Sequence, residues 1–128
     1  MVQWKKTKLR VLSDRITKGS TPTTYGYKFL DEGIPFVKVE NLADGMIARE
    51  SITQYISEDA HEFQKRSQLQ EGDVLFSIAG TIGRAALVTE KDVPANTNQA
   101  VAIIRGVTKH FIPDFLRRLL ILLNHNFQ

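Results

Sequence analysis

The feature of this sequence that most constrains its fold is a pair of short apolar runs framed by glycines. The runs are Val74–Ile78 and Ala85–Val88, and Gly80 and Gly83 lie between them. Each run has the length of a strand and is too short for a buried helix. The glycines supply the positive φ angles that a tight turn requires. The pattern therefore predicts a hairpin with a glycine-framed tip.

Local spacing and capping residues predict three helices. Apolar residues recur at helical intervals over residues 7–18, and Gly19 follows as a stop. Ser57 is an N-cap candidate with two acids in the next turn, which predicts a short helix ending near Arg66. A last helix is predicted over Pro113–Leu123. It is apolar on nearly all sides, so we expect an earlier face of the chain or a partner to bury it.

Further strands and a polar loop are predicted between these helices. Ile34–Glu40 is rich in β-branched and aromatic residues, and the turn after it leads into a short strand at residues 46–47. Gln99–Ile104 is another strand candidate, and Gly19–Gly26 has the hydroxyls and turn formers of an ordered polar loop. Together the elements predict an α+β fold, with a small mixed sheet, hairpins and short helices, ending in an apolar C-terminal helix.

Length and composition exclude several classes of function. A chain of 128 residues with 42% hydrophobic and 24% charged residues has the balance of one globular domain. It contains no cysteine, which excludes Cys-ligated zinc, iron–sulfur clusters and thiol catalysis. The N-terminus lacks the apolar stretch of a signal peptide, and the longest strongly apolar run, Leu119–Leu123, is too short to span a bilayer. We expect a cytoplasmic protein with no membrane contact.

Positive charge is concentrated near the N-terminus. Residues 1–28 hold seven basic side chains and one acid, whereas the remaining hundred residues hold ten basic and thirteen acidic ones. Such a segment is able to supply a patch that faces phosphates, although a solvated helix face explains the same charges more simply. Charge alone therefore does not establish a nucleic-acid partner.

Signatures of enzymatic chemistry are missing from the sequence. The three histidines lack metalloprotease spacing, and no nucleophile elbow, P-loop or dinucleotide fingerprint occurs. The adjacent acids Glu58 and Asp59 fit a helix start better than an acid–base pair. Gly80–Gly83 followed by Arg84 has the spacing of the phosphate clamp in KH domains, but there the loop joins two helices, and here strand-like runs flank it. We expect no catalytic residue, no metal site and no cofactor.

Several segments, taken in order, resemble one known family. The most specific is Glu71–Arg84 (EGDVLFSIAGTIGR), followed by Asn98–Ala102 (NQAVA). The other segments are Trp4 with Leu9, Lys18–Pro22, Gly33–Leu42 and Tyr55–Ser57. Their order and spacing are similar to those of the target recognition domain of type I restriction-modification specificity subunits. The resemblance extends from Trp4 to the helix after Pro113.

The resemblance implies a DNA-reading module without catalysis of its own. Specificity subunits of this family carry two recognition domains separated by long helices, and each domain reads one half of a split target. They assemble with a methyltransferase subunit, which methylates adenine with S-adenosylmethionine, and with an ATP-driven restriction subunit. We therefore expect residues 1–112 to form one DNA target recognition domain, and residues 113–128 to form the C-terminal helix and a truncated lead into the spacer region. Expected partners are double-stranded DNA and the methyltransferase and restriction subunits, with self-association through the C-terminal helix as a further expectation.

Candidate DNA contacts are side chains able to bind phosphates or base edges. Lysine and arginine neutralise phosphates, and amides suit adenine. The candidates are Lys18, Ser20, Thr21, Thr23, Tyr25, Lys38, Asn41, Thr81, Arg84, Asn96, Asn98 and Gln99. For residues 96–99, a turn leading into a strand is an equally good explanation. An alternative function also stays open, a protein-interaction or assembly fragment that docks a partner through its apolar C-terminal helix, and a small enzyme acting on a phosphate ligand comes third.

Overall fold

Two β-sheets organise residues 15–106, the part of the chain that the computed structural model describes. The strands are β1 (Arg15–Lys18), β2 (Ile34–Val37), β3 (Leu42–Ala43), β4 (Gly45–Ile47), β5 (Tyr55–Ile56), β6 (Val74–Ser77), β7 (Ala85–Leu87), β8 (Asn96–Thr97) and β9 (Val101–Arg105). One α-helix, α1 (Glu58–Phe63), occurs within these residues. Short 3₁₀ helices span Pro22–Tyr25, Val39–Asn41, Arg49–Ser51, Lys65–Ser67 and Glu90–Asp92.

Both sheets are mixed. The larger has the strand order β1-β9-β6-β7-β4-β3, with β4 and β7 parallel and the other pairs antiparallel. The smaller has the order β5-β2-β8, with β2 and β8 parallel. Small mixed sheets joined by short helices confirm the α+β prediction for this region. The predicted C-terminal helix at Pro113–Leu123 lies outside the described residues.

The glycine-framed hairpin is confirmed. Strands β6 and β7 pair antiparallel, with Leu75 opposite Ala86. Gly80 and Gly83 in the connection have φ angles of 71° and 102°, in the left-handed region that favours glycine. The Ser77 hydroxyl closes the tip, because it donates to the Thr81 carbonyl at 2.6 Å and accepts from the Arg84 amide at 2.9 Å.

Other local predictions are confirmed with somewhat different bounds. The Ser57 hydroxyl accepts a hydrogen bond from the Ala60 amide at 3.1 Å and so caps α1, which ends at Phe63 because a 3₁₀ helix follows. The predicted strand at residues 34–40 ends at Val37, where the chain enters the 3₁₀ helix over residues 39–41. The short strand at residues 46–47 is part of β4, and the strand predicted over residues 99–104 is β9.

The predicted helix over residues 7–18 is wrong at its C-terminal end. Arg15–Lys18 form β1, an edge strand that pairs antiparallel with β9 from Arg15↔Arg105 to Lys18↔Ala102. Pairing with β9 outweighs the helical spacing, and two β-branched residues, Ile16 and Thr17, suit a strand. Residues 7–14 lie outside the described part of the chain.

Strand β2 joins two hydrophobic clusters. Successive side chains of a strand point to opposite faces. Val37 accordingly packs in the main core with the buried side chains of β6 and β9, such as Leu75 and Ile103. Phe36 packs in a smaller cluster against Ile56 and α1. Strand β2, which belongs to the smaller sheet, thus contributes one buried side chain to each cluster.

A buried ion pair fastens the end of the large sheet where β6 begins and β9 ends. The Arg105 guanidinium donates to both carboxylate oxygens of Asp73, each at 2.9 Å, and Asp73 is 1% exposed. The hydrogen bond to Asp73 raises the pKa of Arg105 above its ordinary value, against the effect of burial. The Gln70 amide also donates to the Asp73 carboxylate at 2.8 Å. Hydrogen bonds to the Asp73 carboxylate from the Arg105 guanidinium and the Gln70 backbone amide therefore fix this end of the sheet.

Candidate nucleic-acid interface

Four connecting segments meet at the opposite end of the large sheet. They are residues 19–26 after β1, residues 38–41 after β2, residues 78–84 between β6 and β7, and residues 98–100 before β9. The register brings three of them together, since β1 and β6 end where β7 and β9 begin. Residues 38–41 join them because β2 ends beside β8, with Val37 opposite Thr97, directly before residues 98–100. We call these four segments the loop edge.

Hydrogen bonds connect the segments of the loop edge to one another. The Gly19 amide donates to the Asn98 carbonyl at 3.1 Å, and the Ile78 amide donates to the Ala100 carbonyl at 2.8 Å. The Thr21 hydroxyl donates to Gln99 Oε1 at 2.6 Å. Residues 98–100 are therefore the central support on which the 19–26 loop and the hairpin tip rest.

The 19–26 loop approaches residues 97–98 closely. A β-carbon on Gly19 would lie 1.8 Å from the Thr97 carbonyl oxygen and 2.8 Å from the Asn98 carbonyl oxygen. Both neighbours are backbone atoms, which a side-chain rotation cannot move away. Glycine at this position is thus needed for the loop to reach its support.

The loop edge and its margin have an excess of positive charge. Lys18, the last residue of β1, and Arg84 at the hairpin tip are both exposed. Arg84 Nη1 lies 3.5 Å from the Val39 carbonyl oxygen, which places its guanidinium between two segments of the edge. Lys38 is half-buried, and its ammonium lies 3.5 Å from the exposed carboxylate of Glu40. Lys18 and Arg84 are thus placed to meet an anionic partner.

Most of the sequence-predicted DNA contacts lie on this edge with accessible side chains. The exposed ones are Lys18, Thr23, Tyr25, Thr81, Arg84 and Gln99, and the half-buried ones are Ser20, Thr21, Lys38 and Asn98. Asn98 also has a local role, because its Oδ1 accepts from the Ala100 amide at 3.0 Å and shapes the turn before β9. The sequence left two explanations for residues 98–99, a structural turn before a strand and a DNA-contacting surface. The structure is compatible with both, since Asn98 shapes the turn and the side chain of Gln99 is exposed.

Two of the predicted contacts, Asn41 and Asn96, are buried. Asn41 is 1% exposed, accepts from the Lys38 amide at 2.8 Å and donates to the Ser51 carbonyl and hydroxyl at 3.0 and 2.9 Å. Asn96 is 0% exposed, and its Oδ1 accepts from the Ser67 hydroxyl at 2.6 Å. Their amide groups are hydrogen-bonded within the protein, so they are not free to pair with a base.

A histidine completes the network around Asn96. The Asn96 amide nitrogen lies 3.1 Å from His61 Nδ1, and it donates to the Gln64 carbonyl at 3.2 Å. Because that nitrogen is a donor, Nδ1 accepts and the imidazole is neutral. Burial lowers the pKa of His61, partly offset by Glu62 and Glu58.

An exposed aromatic cluster adjoins the loop edge. The rings of Tyr25 and Phe63 have centroids 5.1 Å apart, and those of Tyr27 and Phe63 are 5.4 Å apart. Tyr25 and Phe63 remain 53% and 55% exposed. Exposed aromatic side chains clustered beside cations are typical of surfaces that bind nucleic acid.

A cleft of about 280 Å³ opens beside this cluster. It is lined by Lys18, Ser20, Tyr25, Phe63, Gln64, Arg66 and Ser67. Strand β1 runs next to the Lys65–Ser67 turn, which brings Lys18 and Arg66 to the same cleft. We call it the Gln64 cleft.

Residues 15–106 contain neither a metal-binding cluster nor a membrane-spanning helix. No group of three or more His, Asp or Glu side chains there is arranged to hold a metal ion. No helix of the same region has the length and apolarity needed to cross a membrane.

Comparison with known protein families identifies the family of this chain. The family model described as the type I restriction modification DNA specificity domain matches residues 1–128. The chain belongs to this family. Membership confirms the resemblance drawn from the sequence, and with it the prediction of a specificity module that has no catalysis of its own.

Individual relatives agree with the family assignment. The chain is 33% identical over 87 residues to the EcoBI specificity subunit of a type I restriction enzyme from Escherichia coli, a match that covers 68% of this chain and 18% of that subunit. A chain from a structural study of complex assembly and conformational transition of the type I R-M system has a TM-score of 0.62 at 20% identity, covering 94% of this chain and 29% of that one. The HsdS subunit from Thermoanaerobacter tengcongensis has a TM-score of 0.58 at 19% identity, covering 85% and 26%. The specificity domain thus spans less than a third of each of these relatives.

Phe63 is the part of this specificity domain's surface that sequence reasoning missed. The sequence shows it on the apolar face of α1 beside Ala60, and such a position predicts a core residue. Its contact with Tyr25 depends on tertiary structure. One feature of the sequence does indicate exposure: Phe63 ends a short predicted helix and is followed directly by the polar residues Gln64, Lys65 and Arg66.

Proposed function

We propose that this specificity domain recognises one half of a bipartite target in double-stranded DNA through its loop edge. In this proposal it directs adenine methylation and DNA cleavage by the methyltransferase and restriction subunits of the same type I system, in the cytoplasm. The supporting observation is the convergence of four connecting segments, with exposed polar side chains and cations, at one end of the large sheet. Recognition domain and spacer lead would divide at residues 112 and 113, with self-association through the C-terminal helix.

In this proposal two exposed cations contact phosphates: Arg84 on the loop edge and Lys18 at its margin. Lys18 and Arg84 lie on different elements, β1 and the hairpin tip, so together they are able to follow a strand of the duplex. Each phosphate neutralised releases counterions, which makes such binding strongly dependent on salt. Lys38 contributes less, because its ammonium is already close to Glu40.

Gln99 is the residue that we expect to contact a base. Its Oε1 accepts from the Thr21 hydroxyl at 2.6 Å, which orients the exposed amide while leaving its two N–H groups and the second lone pair of Oε1 for a base. A glutamine amide oriented in this way is able to pair with the N6 and N7 atoms of adenine in the major groove. Thr23, Tyr25 and Thr81 are the accessible side chains that flank it on the loop edge.

The proposal is tested by sequencing methylated adenines in genomic DNA from cells with and without the gene. We expect a bipartite motif that disappears with the gene. Gln99→Ala should relax one position of one half-site, with about 10- to 100-fold less discrimination there, whereas Gln70→Ala, an exposed glutamine in the turn before β6, should leave the motif unchanged. Identical methylation with and without the gene would refute the proposed function.

A further inference from the structure

Gln64 carries a buried acceptor without a donor in the wall of the Gln64 cleft. The residue is 6% exposed, and no donor within residues 15–106 reaches its Oε1. Buried polar atoms in folded proteins are nearly always paired, so an unpaired one requires an explanation. Gln64 is also a lining residue of the cleft, so a ligand bound there is the candidate partner for this acceptor.

The backbone fixes which end of the Gln64 amide is the acceptor. The Thr97 amide donates to Asn96 Oδ1 at 2.9 Å, so Oδ1 cannot be exchanged with the amide nitrogen. Gln64 Nε2 faces this same oxygen at 3.2 Å. Nε2 is therefore the donor on the Asn96 side, and Oε1 is the atom left over.

The rest of the cleft wall suits a nucleotide. Tyr25 and Phe63 present exposed rings on which a base is able to stack. Lys18 and Arg66, both exposed, provide cations for the adjoining phosphate. Planar rings, cations and an unpaired acceptor match a planar base with an amino donor on a phosphate backbone.

We propose that the Gln64 cleft binds one unstacked nucleotide of a DNA strand, with an amino-bearing base donating to Gln64 Oε1. Bases inside a duplex stack on one another, so a base that stacks on Tyr25 or Phe63 belongs to a nucleotide that has left the duplex stack. The choice of DNA as ligand rests on the proposed function. The DNA would then contact the domain at two places, with the duplex on the loop edge and one unstacked nucleotide in the Gln64 cleft.

Cytosine and thymine provide a matched pair of probes. At ring position 4 cytosine carries an amino donor, and thymine carries a carbonyl acceptor. We would measure the affinity of the full chain for fluorescein-labelled oligodeoxycytidine and oligodeoxythymidine of equal length by fluorescence anisotropy at low salt. Tighter binding of oligodeoxycytidine is expected, by about 2- to 10-fold for one net hydrogen bond.

Two variants and two controls test the residues. Gln64→Met removes the acceptor at similar size and should abolish the preference for cytosine, whereas Gln70→Met should preserve it. Phe63→Ala removes a stacking surface and should weaken both oligonucleotides by about 5- to 150-fold. Met46→Ala, which truncates an exposed residue on β4, should leave both affinities unchanged. Thermal unfolding would check that each variant is folded. If Gln64→Met does not fold, Phe63→Ala still tests the cleft, because Phe63 is exposed and its truncation should leave the fold intact.

The proposal is overturned if the unaltered chain binds the two oligonucleotides equally, or if Phe63→Ala binds as tightly as Met46→Ala. Displacement of oligodeoxycytidine by free dCMP at equal nucleotide concentration would overturn the assignment to a DNA strand. A labelled duplex titrated in parallel separates this test from the proposed function. Duplex binding without cytosine preference refutes the cleft alone, and cytosine preference without duplex binding refutes the loop edge alone.

Discussion

Gly19→Ala tests whether the 19–26 loop depends on its close approach to residues 97–98. The added β-carbon would lie 1.8 Å from the Thr97 carbonyl oxygen, against a practical minimum of 3.0 Å for real contacts. Gly19 is not in the left-handed region, so backbone strain at the new residue plays no part. The substitution therefore perturbs one thing, the distance between the loop and its support.

The expected cost follows from two losses. Relieving the overlap moves the loop or residues 97–98 by more than an ångström, and overpacking of this kind costs about 1–3 kcal/mol. The same movement lengthens the hydrogen bond from the Gly19 amide to the Asn98 carbonyl, now 3.1 Å, which contributes about 1 kcal/mol. We expect the free energy of unfolding to fall by about 2–4 kcal/mol.

Urea unfolding of the full chain, followed by circular dichroism and extrapolated linearly to water, measures this difference. Thr24→Ala is the control, because Thr24 is exposed in the same loop and its truncation should change stability by less than about 0.5 kcal/mol. If Gly19→Ala were as stable as Thr24→Ala, the loop would not rest on residues 97–98, and the loop edge as described would be refuted.

Three other predictions concern the framework of the domain. Asp73→Ala leaves Arg105 without its partner and should cost about 3 kcal/mol in urea unfolding, whereas the exposed neighbour Glu71→Ala should be neutral; equal stabilities would contradict the buried pair. Because burial lowers the pKa of His61, the folded chain binds that proton less readily than the unfolded chain. Stability should therefore fall as pH drops below the ordinary histidine value of 6.5, less steeply in His61→Gln, and equal slopes would refute the role of His61. Asn41→Ala should lower stability by about 1–3 kcal/mol without altering the salt dependence of DNA binding; loss of binding by the folded variant would assign Asn41 to the interface.

Local chemistry made much of the fold predictable. The hairpin follows from glycines that only certain turns require, and the start of α1 follows from the Ser57 hydroxyl and the acids after it. The error at Arg15–Lys18 has the opposite origin. Helical spacing depends only on residues close in sequence, whereas β1 forms because it pairs with β9, about 90 residues further along the chain.

The sequence predicts which segments contribute to the candidate site, but it does not predict which of their side chains point outward. The sequence indicates that residues 96–99 are polar, but not that Asn96 points inward and Gln99 outward. Asn96 is buried because Ser67 and Gln64, more than 25 residues away, provide its partners. Phe63 illustrates the converse case, because an aromatic residue on an apolar helix face becomes a surface residue when Tyr25 and Tyr27 meet it from a distant loop.

The salt dependence of duplex binding tests the central claim most directly. The chain in complex with the methyltransferase subunit proposed as its partner would be titrated with labelled duplex DNA between about 50 and 200 mM salt. We expect affinity to fall linearly on logarithmic axes, with Lys18→Ala and Arg84→Ala each reducing the slope by about one. Lys91→Ala, an exposed lysine beyond β7 at the other end of the sheet, should leave it unchanged. No affinity at low salt, or the same slope in all variants, would contradict DNA recognition by the loop edge.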